Sequence, residues 1–317
     1  TYPRIGDAPE QQVLRRAIAR FDKGEASDAD VHAAEREVTK RVLQEQVAAG
    51  IDIVTDGQIA WYDSQSHLAR GLEGIEIGGL VRYFDTNTYY RQPIIVHPVV
   101  WKHPILVDEW RFAAGAVQAP VKAVLTGPVT LANLALDRHY KKKRALAVAL
   151  ATALAEEVAA LRSAGVKHVQ VDEPILTRRP EDLSLVSETM EILASRKGSA
   201  ELTLATYFGD VARIYRDLLE LPEDVLGLDL VQGSKTWAHV VRHGSEKPLA
   251  LGIVDARNTK LEDPKALASR VQTLRDSIDL EESYLSPSNG LEFLPRAKAQ
   301  RKLEVLVQAA RRVGGGA

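Results

Sequence analysis

Cysteine is absent from all 317 residues. That excludes disulfides, a cysteine nucleophile, thiolate metal ligands and cysteine-held iron–sulfur clusters, whereas a small secreted fold would usually need such staples. Charge of either sign is not in excess: the net charge is -2, so neither nucleic acid nor an anionic membrane is expected as a partner. No apolar run is long enough to span a bilayer, and no charged-then-apolar leader opens the chain, so a cytoplasmic protein is the expectation. Low-complexity sequence is missing apart from the terminal "GGGA". What remains, 45% hydrophobic and 26% charged residues, is the composition of an ordinary globular protein.

Short runs rich in Val, Ile and Leu recur: "IDIVTDG" at 51, "VKAVLTGP" at 121, "VKHVQVDEP" at 166, "ELTLATYFGD" at 201, "DVLGLDLVQG" at 224, "LALGIVDARN" at 249 and "SYLSPSNG" at 283. Each is nearly continuous in apolar residues and closed by Gly, Pro or Asp, as parallel strands buried on both faces should be. Segments of helical period separate them. Arg144 to Gly165 is one, with Glu156, Glu157 and Arg162 expected on its wet side and Gly165 as its C-cap. With "TYPRIG" as strand one, eight β/α units in one chain are the count of a single (β/α)8 TIM barrel spanning residues 1–317. The Pro- and aromatic-rich stretch from Leu80 to Gln118 breaks the alternation and reads as an excursion after strand two.

In such a barrel the chemistry sits at the C-terminal ends of the strands. Those positions hold Arg4; Asp56, Gln58, Trp61, Tyr62 and Asp63; Thr126 and Thr130 around Gly127-Pro128; Asp172 and Glu173; Thr206, Tyr207, Phe208 and Asp210. Asp229 and Gln232, then Asp255, Arg257 and Asn258, then Ser286, Ser288 and Asn289 complete them. Carboxylates, amides, an Arg and aromatics describe a small-molecule pocket with anchors for an amine or carboxylate and flat surfaces for a ring. Adjacent residues at a strand end face opposite ways, so Asp172 and Glu173 should do different jobs. Either could instead favour the dipole of a helix starting after Pro174. The aromatics Trp61, Tyr62, Tyr207 and Phe208 either stack a ligand ring or plug the barrel top.

Taken in order, the strand ends resemble those of the cobalamin-independent methionine synthase family, whose large members carry two related (β/α)8 barrels. The matching stretches are "YPRIG" at 2, "GIDIVTDGQIAWYD" at 50, "YFDTNTYYRQP" at 83, "LTGPVT" at 125, "VQVDEPIL" at 169, "ATYFGD" at 205, "GLDLVQG" at 227, "GIVDARN" at 252 and "LSPSNGL" at 285. The "FDTNTYY" and "TYFG" stretches look more like the N-terminal barrel than the catalytic C-terminal one.

The resemblance implies methyl transfer from N5 of a methyltetrahydrofolate to the sulfur of homocysteine. In the family's catalytic barrel a zinc ion, held by one His, two Cys and one Glu, keeps the acceptor as thiolate. Carried over by motif, those ligands fall on Leu204, Thr206, Asp229 and Asn289. One carboxylate with a hydroxyl and an amide is not a zinc site. The helical pair His239 and His243 lacks a third ligand and reads as an exposed helix face. Arg257 stands where the family has a histidine, and Gln58 where it has an acidic contact to the amino acid. Asp172 matches the residue that binds the substrate amine.

Three readings are compatible with these residues. The first is a zinc-independent methyltransferase, with methyltetrahydrofolate or tetrahydrofolate, or another methylated cofactor, and a small acceptor. Asp172, Asp229, Asp255 and Arg257 are its expected catalytic residues. Arg4, Gln58, Trp61, Tyr62, Asp63, Thr126, Glu173, Tyr207 and Asn289 are its expected binding residues. The second is a folate-binding or accessory barrel with a partner protein that supplies or accepts the methyl group; a short-form methionine synthase is the third alternative. The basic run Lys141 to Arg144 would meet an acidic polyglutamate tail, or is a solvated face.

Overall fold

The computed structural model describes residues 1–315. Its strands are β1 (Leu72–Arg82), β2 (Tyr89–Trp101), β3 (Ala123–Thr126), β4 (Leu136–Asp137), β5 (His168–Asp172), β6 (Glu201–Thr206), β7 (Val225–Asp229), β8 (Leu249–Val254) and β9 (Tyr284–Pro287). Six of these, β3 and β5 through β9, fall on the apolar runs. β3 and β7 are buried along their whole length and β6 nearly so, which is why their sequences do not alternate. Two units make up the chain. One comprises Thr1–Ala60, Glu109–Lys122 and Leu228–Ala317, the other Trp61–Asp108 and Ala123–Gly227.

In the second unit β3, β5, β6 and the start of β7 are successive neighbours. The β3–β5 and β5–β6 registers are parallel: Ala123 faces Val169, and Val169 faces Leu202. β1 and β2 form a long antiparallel hairpin running from Leu72↔Trp101 to Arg82↔Tyr89, with irregularities between Glu73 and Ile75 and between Ile77 and Leu80. The excursion thus begins at Leu72 rather than Leu80. Its glycines hide it: Gly74 takes φ 85 inside the first irregularity, breaking the period-2 pattern that signals a strand.

The helix Lys143–Ala164 buries Leu146, Leu150, Leu154, Val158 and Leu161, a stripe at helical spacing. Gly165 ends it with φ 102, a left-handed conformation that suits glycine. Glu157 corrects the expected wet face. It is fully buried, and its carboxylate accepts Trp101 Nε1 at 2.7 Å, Ile105 N at 2.8 Å and Leu106 N at 2.8 Å. Three donors, one from the end of the hairpin and two from the loop after it, replace water, whereas Glu156 stays at the surface paired with Arg196 at 2.6 Å.

In the first unit β7, β8 and β9 are successive neighbours, with Leu251 facing Leu285. The helix Asp28–Ala49 starts at a capping box between Ser27 and Asp30. Its Val31, Val38 and Val42 pack against Tyr2, Leu14, Ile59, Leu291 and Leu303. The first two expected strands shrink here. "TYPRIG" forms no strand; Tyr2 N donates to Gly57 O at 3.0 Å, and Pro3 lacks the donor a ladder needs. "IDIVTDG" keeps only the parallel bridge Val54↔Val121. The side chain of Gln46 takes both backbone groups of Thr55, at 3.0 and 2.8 Å, and so substitutes for a neighbouring strand. Among the described residues no helix is long and apolar enough to cross a membrane.

Candidate active site

The end of β5 shows how alternation distributes roles. Val169 and Val171 are buried, while Gln170 and Asp172 share the opposite face and are partly exposed. Asp172 Oδ1 accepts Gln170 Nε2 at 2.7 Å, and Asp172 Oδ2 accepts the hydroxyl of Tyr207 at 3.1 Å. Two neutral donors therefore orient a half-buried carboxylate. Strand ends alone do not pick out Gln170 as a partner of Asp172, although its place two positions before Asp172 is legible from strand parity.

Glu173 faces away and is fully buried. Its Oε1 accepts Val129 N at 2.8 Å; its Oε2 accepts Thr130 N at 2.8 Å and the Thr130 hydroxyl at 2.5 Å. These are first-turn donors of the helix Pro128–Leu134, so the carboxylate caps the preceding helix. No full helix starts at Pro174, only the 3-10 turn Pro174–Thr177. Burial raises the Glu173 pKa to about 7, opposed by the bonds from Thr130 and Val129. Gly127 makes room for this: a Cβ there would overlap the Glu173 carboxyl carbon.

Asp63 accepts Gln65 N at 2.9 Å, Ser66 N and Ser66 Oγ at 2.6 Å each, and Arg91 N at 3.0 Å. It thereby fastens a helix start to the hairpin. Thr126 donates its hydroxyl to Ser64 O. Trp61 is buried and stacks on His67 with centroids 5.0 Å apart. Tyr62 is exposed, with the guanidiniums of Arg70 and Arg91 at 5.2 and 5.3 Å from its ring. The hairpin turn meets the loop after β6 through Tyr83, Phe84 and Phe208, the last two with φ 49 and 70. Such backbone angles are costly for aromatic residues. Tyr207 packs edge-on against Phe208 at 4.7 Å, which fixes the phenol aimed at Asp172.

In the other unit, Arg4 lies 3.8 Å from Glu35, which also meets His32 Nδ1 at 3.0 Å. Burial pushes the Glu35 carboxyl above its usual range, and His32 and Arg4 pull it back. Gln58 is buried with φ 51. Its Nε2 and backbone N both donate to Asp56 Oδ1, at 2.7 and 3.1 Å, and its Oε1 is buried without a partner among the described residues. Asp229 is buried at the end of β7, its Oδ1 accepting Val231 N at 3.0 Å and Gln232 N at 2.9 Å. Asp255 Oδ1 accepts Arg257 N at 2.9 Å, and Arg257 Nη1 reaches Gln232 Oε1 at 3.4 Å. Asn289 is buried, donating Nδ2 to Gly290 O at 2.8 Å and accepting Ser288 Oγ at 3.2 Å.

The family's zinc positions do not suit zinc. Leu204 is apolar and buried, Thr206 donates its hydroxyl to Gly227 O at 3.0 Å, and Asn289 has its amide engaged. Asp229 alone is an anionic ligand type. Among the described residues no three His, Asp or Glu side chains converge as metal ligands. Of the basic run, Lys143 pairs with Asp182 and Arg144 with Glu188, so two of its four cations are engaged within the protein.

The chain is similar to several known proteins. The family described as "Cobalamin-independent synthase, N-terminal domain" matches residues 64–279. A methionine synthase from Saccharolobus solfataricus is 30% identical over 309 residues, covering 97% of this chain and 92% of the relative. One from Sulfurisphaera tokodaii is 30% identical over 316 residues, with 97% and 90% covered. The solved B12-independent methionine synthase from Shewanella sp. W3-18-1, in complex with selenomethionine, superposes with TM-score 0.79 at 20% identity, covering 92% of this chain and 90% of that one. That likeness is one of fold, the α/β TIM barrel with parallel strands. With a family match over most of its length and relatives at this identity along almost all of it, the chain belongs to the cobalamin-independent methionine synthase family of methyltransferases.

Proposed function

We propose that the protein moves a methyl group between a folate-type or other methylated cofactor and a small acceptor without a zinc ion. The observation that carries this reading is Asp172, a half-buried carboxylate oriented by Gln170 and Tyr207 at a strand end. It suits the N–H groups of a pterin or the ammonium of an amino acid. Arg257 suits a carboxylate or a developing anion, and Asp229 and Asp255 supply further carboxylates. In the transfer the bond from cofactor to methyl breaks and the bond from acceptor to methyl forms. The acceptor gives up its proton, and the folate nitrogen gains one.

The donor chemistry supports the zinc-free half of the reading, because leucine, threonine and asparagine occupy three of the four family ligand positions. A thiol acceptor would then need activation by a carboxylate, starting about 2 kcal/mol behind a preformed thiolate at neutral pH. The relatives named methionine synthase favour homocysteine as that acceptor. Under this reading residues 1–317 act as one catalytic domain.

The test is incubation with methyltetrahydrofolate and, in turn, homocysteine, unrelated thiols and phenols, followed by product analysis. Methylated product whose formation withstands a chelator supports the proposal. Loss of turnover on chelation, restored by zinc, overturns its metal-free part. Binding of tetrahydrofolate with no product from any acceptor would favour an accessory barrel serving a partner protein. Asp172→Asn and Arg257→Ala should each lower turnover at least tenfold, and unchanged turnover would remove those residues from the site.

A further inference from the structure

Asp255, Ala256 and Arg257 form a turn after β8 whose three successive backbone amides are each held by a side chain. Glu262 Oε1 accepts Asp255 N at 2.9 Å, Ser288 Oγ accepts Ala256 N at 3.2 Å, and Asp255 Oδ1 accepts Arg257 N at 2.9 Å. The same Glu262 oxygen accepts Lys302 Nζ at 2.7 Å. Lys302 is fully buried on the helix Arg296–Gly314, beside Ala299, Leu303 and Leu306. A buried ammonium on a helix face whose other buried residues, Arg296 apart, are apolar is poor grounds for stability, since a well-packed apolar residue often serves as well or better. Its geometric effect is clearer. It holds Glu262 where one carboxylate oxygen meets the amide that starts the turn.

We infer that Glu262 is a positioning residue for the Asp255–Arg257 turn and that Lys302 holds it in place from the outer helix. Glu262 fixes the Asp255 backbone, Asp255 fixes the Arg257 backbone, and the guanidinium then reaches Gln232 Oε1 at 3.4 Å. The functional consequence rests on the proposed role of Arg257 and Asp255; the geometric one does not.

The test uses double variants, so that no uncompensated charge is left buried. Glu262→Gln with Lys302→Met removes both charges and keeps a carbonyl acceptor for Asp255 N. Glu262→Ala with Lys302→Met removes the acceptor as well. Hydrogen exchange at the amides of 255–257, thermal midpoints, and kcat and KM for methyltetrahydrofolate with homocysteine are measured on each. The glutamine pair should keep the amide protected and kcat/KM within about threefold of the parent. The alanine pair should exchange Asp255 N at least tenfold faster and lose at least tenfold in kcat/KM, with a midpoint close to that of the glutamine pair. Equal exchange and equal turnover in the two pairs would overturn the inference. Where the alanine pair does not fold, Glu262→Ser with Lys302→Met, too short to reach Asp255 N, takes its place with the same expectations. Exchange that separates the pairs while Arg257→Ala turns over normally would uphold the positioning and refute the role given to Arg257.

Discussion

Glu173 and Thr130 are joined twice: the backbone amide and the hydroxyl of Thr130 donate to one carboxylate oxygen, at 2.8 and 2.5 Å. With Val129 N on the other oxygen at 2.8 Å, a carboxyl from the end of β5 caps the helix after β3.

Stability should therefore depend on pH through Glu173. Burial raises its pKa from the ordinary 4.5 to about 7. The folded protein then binds the proton more tightly than the unfolded chain between those values, so this contribution is full below about 4.5 and lost as pH rises to about 7. Urea unfolding of the parent and Glu173→Gln from pH 4 to 8 checks this. The parent should lose on the order of 3 kcal/mol relative to the variant across that window, with a flat difference outside it. Parallel curves would show that the group does not titrate there.

Gly127→Ala should destabilise by about 2 kcal/mol through a side-chain collision alone. The Gly127 backbone, φ -67 and ψ 147, is one that alanine adopts freely, and the clash is with the Glu173 carboxyl. The cost should shrink to a few tenths in a Glu173→Ala background. A double-mutant cycle by chemical denaturation measures the coupling, and additive effects would contradict the collision.

Glu157→Ala should cost about 3–5 kcal/mol, because Trp101 Nε1 and the amides of Ile105 and Leu106 lose their acceptor inside the protein. Glu156→Ala, one residue earlier on the surface, should change stability by about 0.5 kcal/mol or less. Unfolding midpoints of the two variants give the comparison. Similar values would mean that Glu157 is not the latch.

Tyr207→Phe removes the hydroxyl 3.1 Å from Asp172 Oδ2 but keeps the ring against Phe208. Turnover should fall by about 10- to 100-fold, as expected for one lost bond to a charged group, with unfolding nearly unchanged. Gln170→Leu, which removes the other orienting donor, should give a loss of similar size. If neither variant affects turnover or folate binding, Asp172 does not need orienting.

Much of this architecture is readable from local patterns. Continuous Val, Ile and Leu runs mark six strands, a stripe from Leu146 to Leu161 marks the long helix, and Gly165 marks its end. Parity along β5 separates Asp172 from Glu173. Of the first two expected strands, "TYPRIG" forms none and "IDIVTDG" keeps a single bridge, since Pro3 withholds a donor and Gln46 takes over the backbone of Thr55. The hairpin start at Leu72 escapes a pattern-based reading because Gly74 interrupts its alternation.

By itself the sequence determined the α/β alternation, the absence of cysteine ligands and nucleophiles and the set of polar residues at strand ends. All three depend on residue type and on neighbours within a turn or a strand. Only the tertiary structure decided what each buried charge does. Glu157 meets Trp101, Glu173 meets Thr130, and Lys302 meets Glu262 across 56, 43 and 40 positions. No periodicity links residues so far apart, and a charge taken from water must find its partner wherever the packed chain brings one.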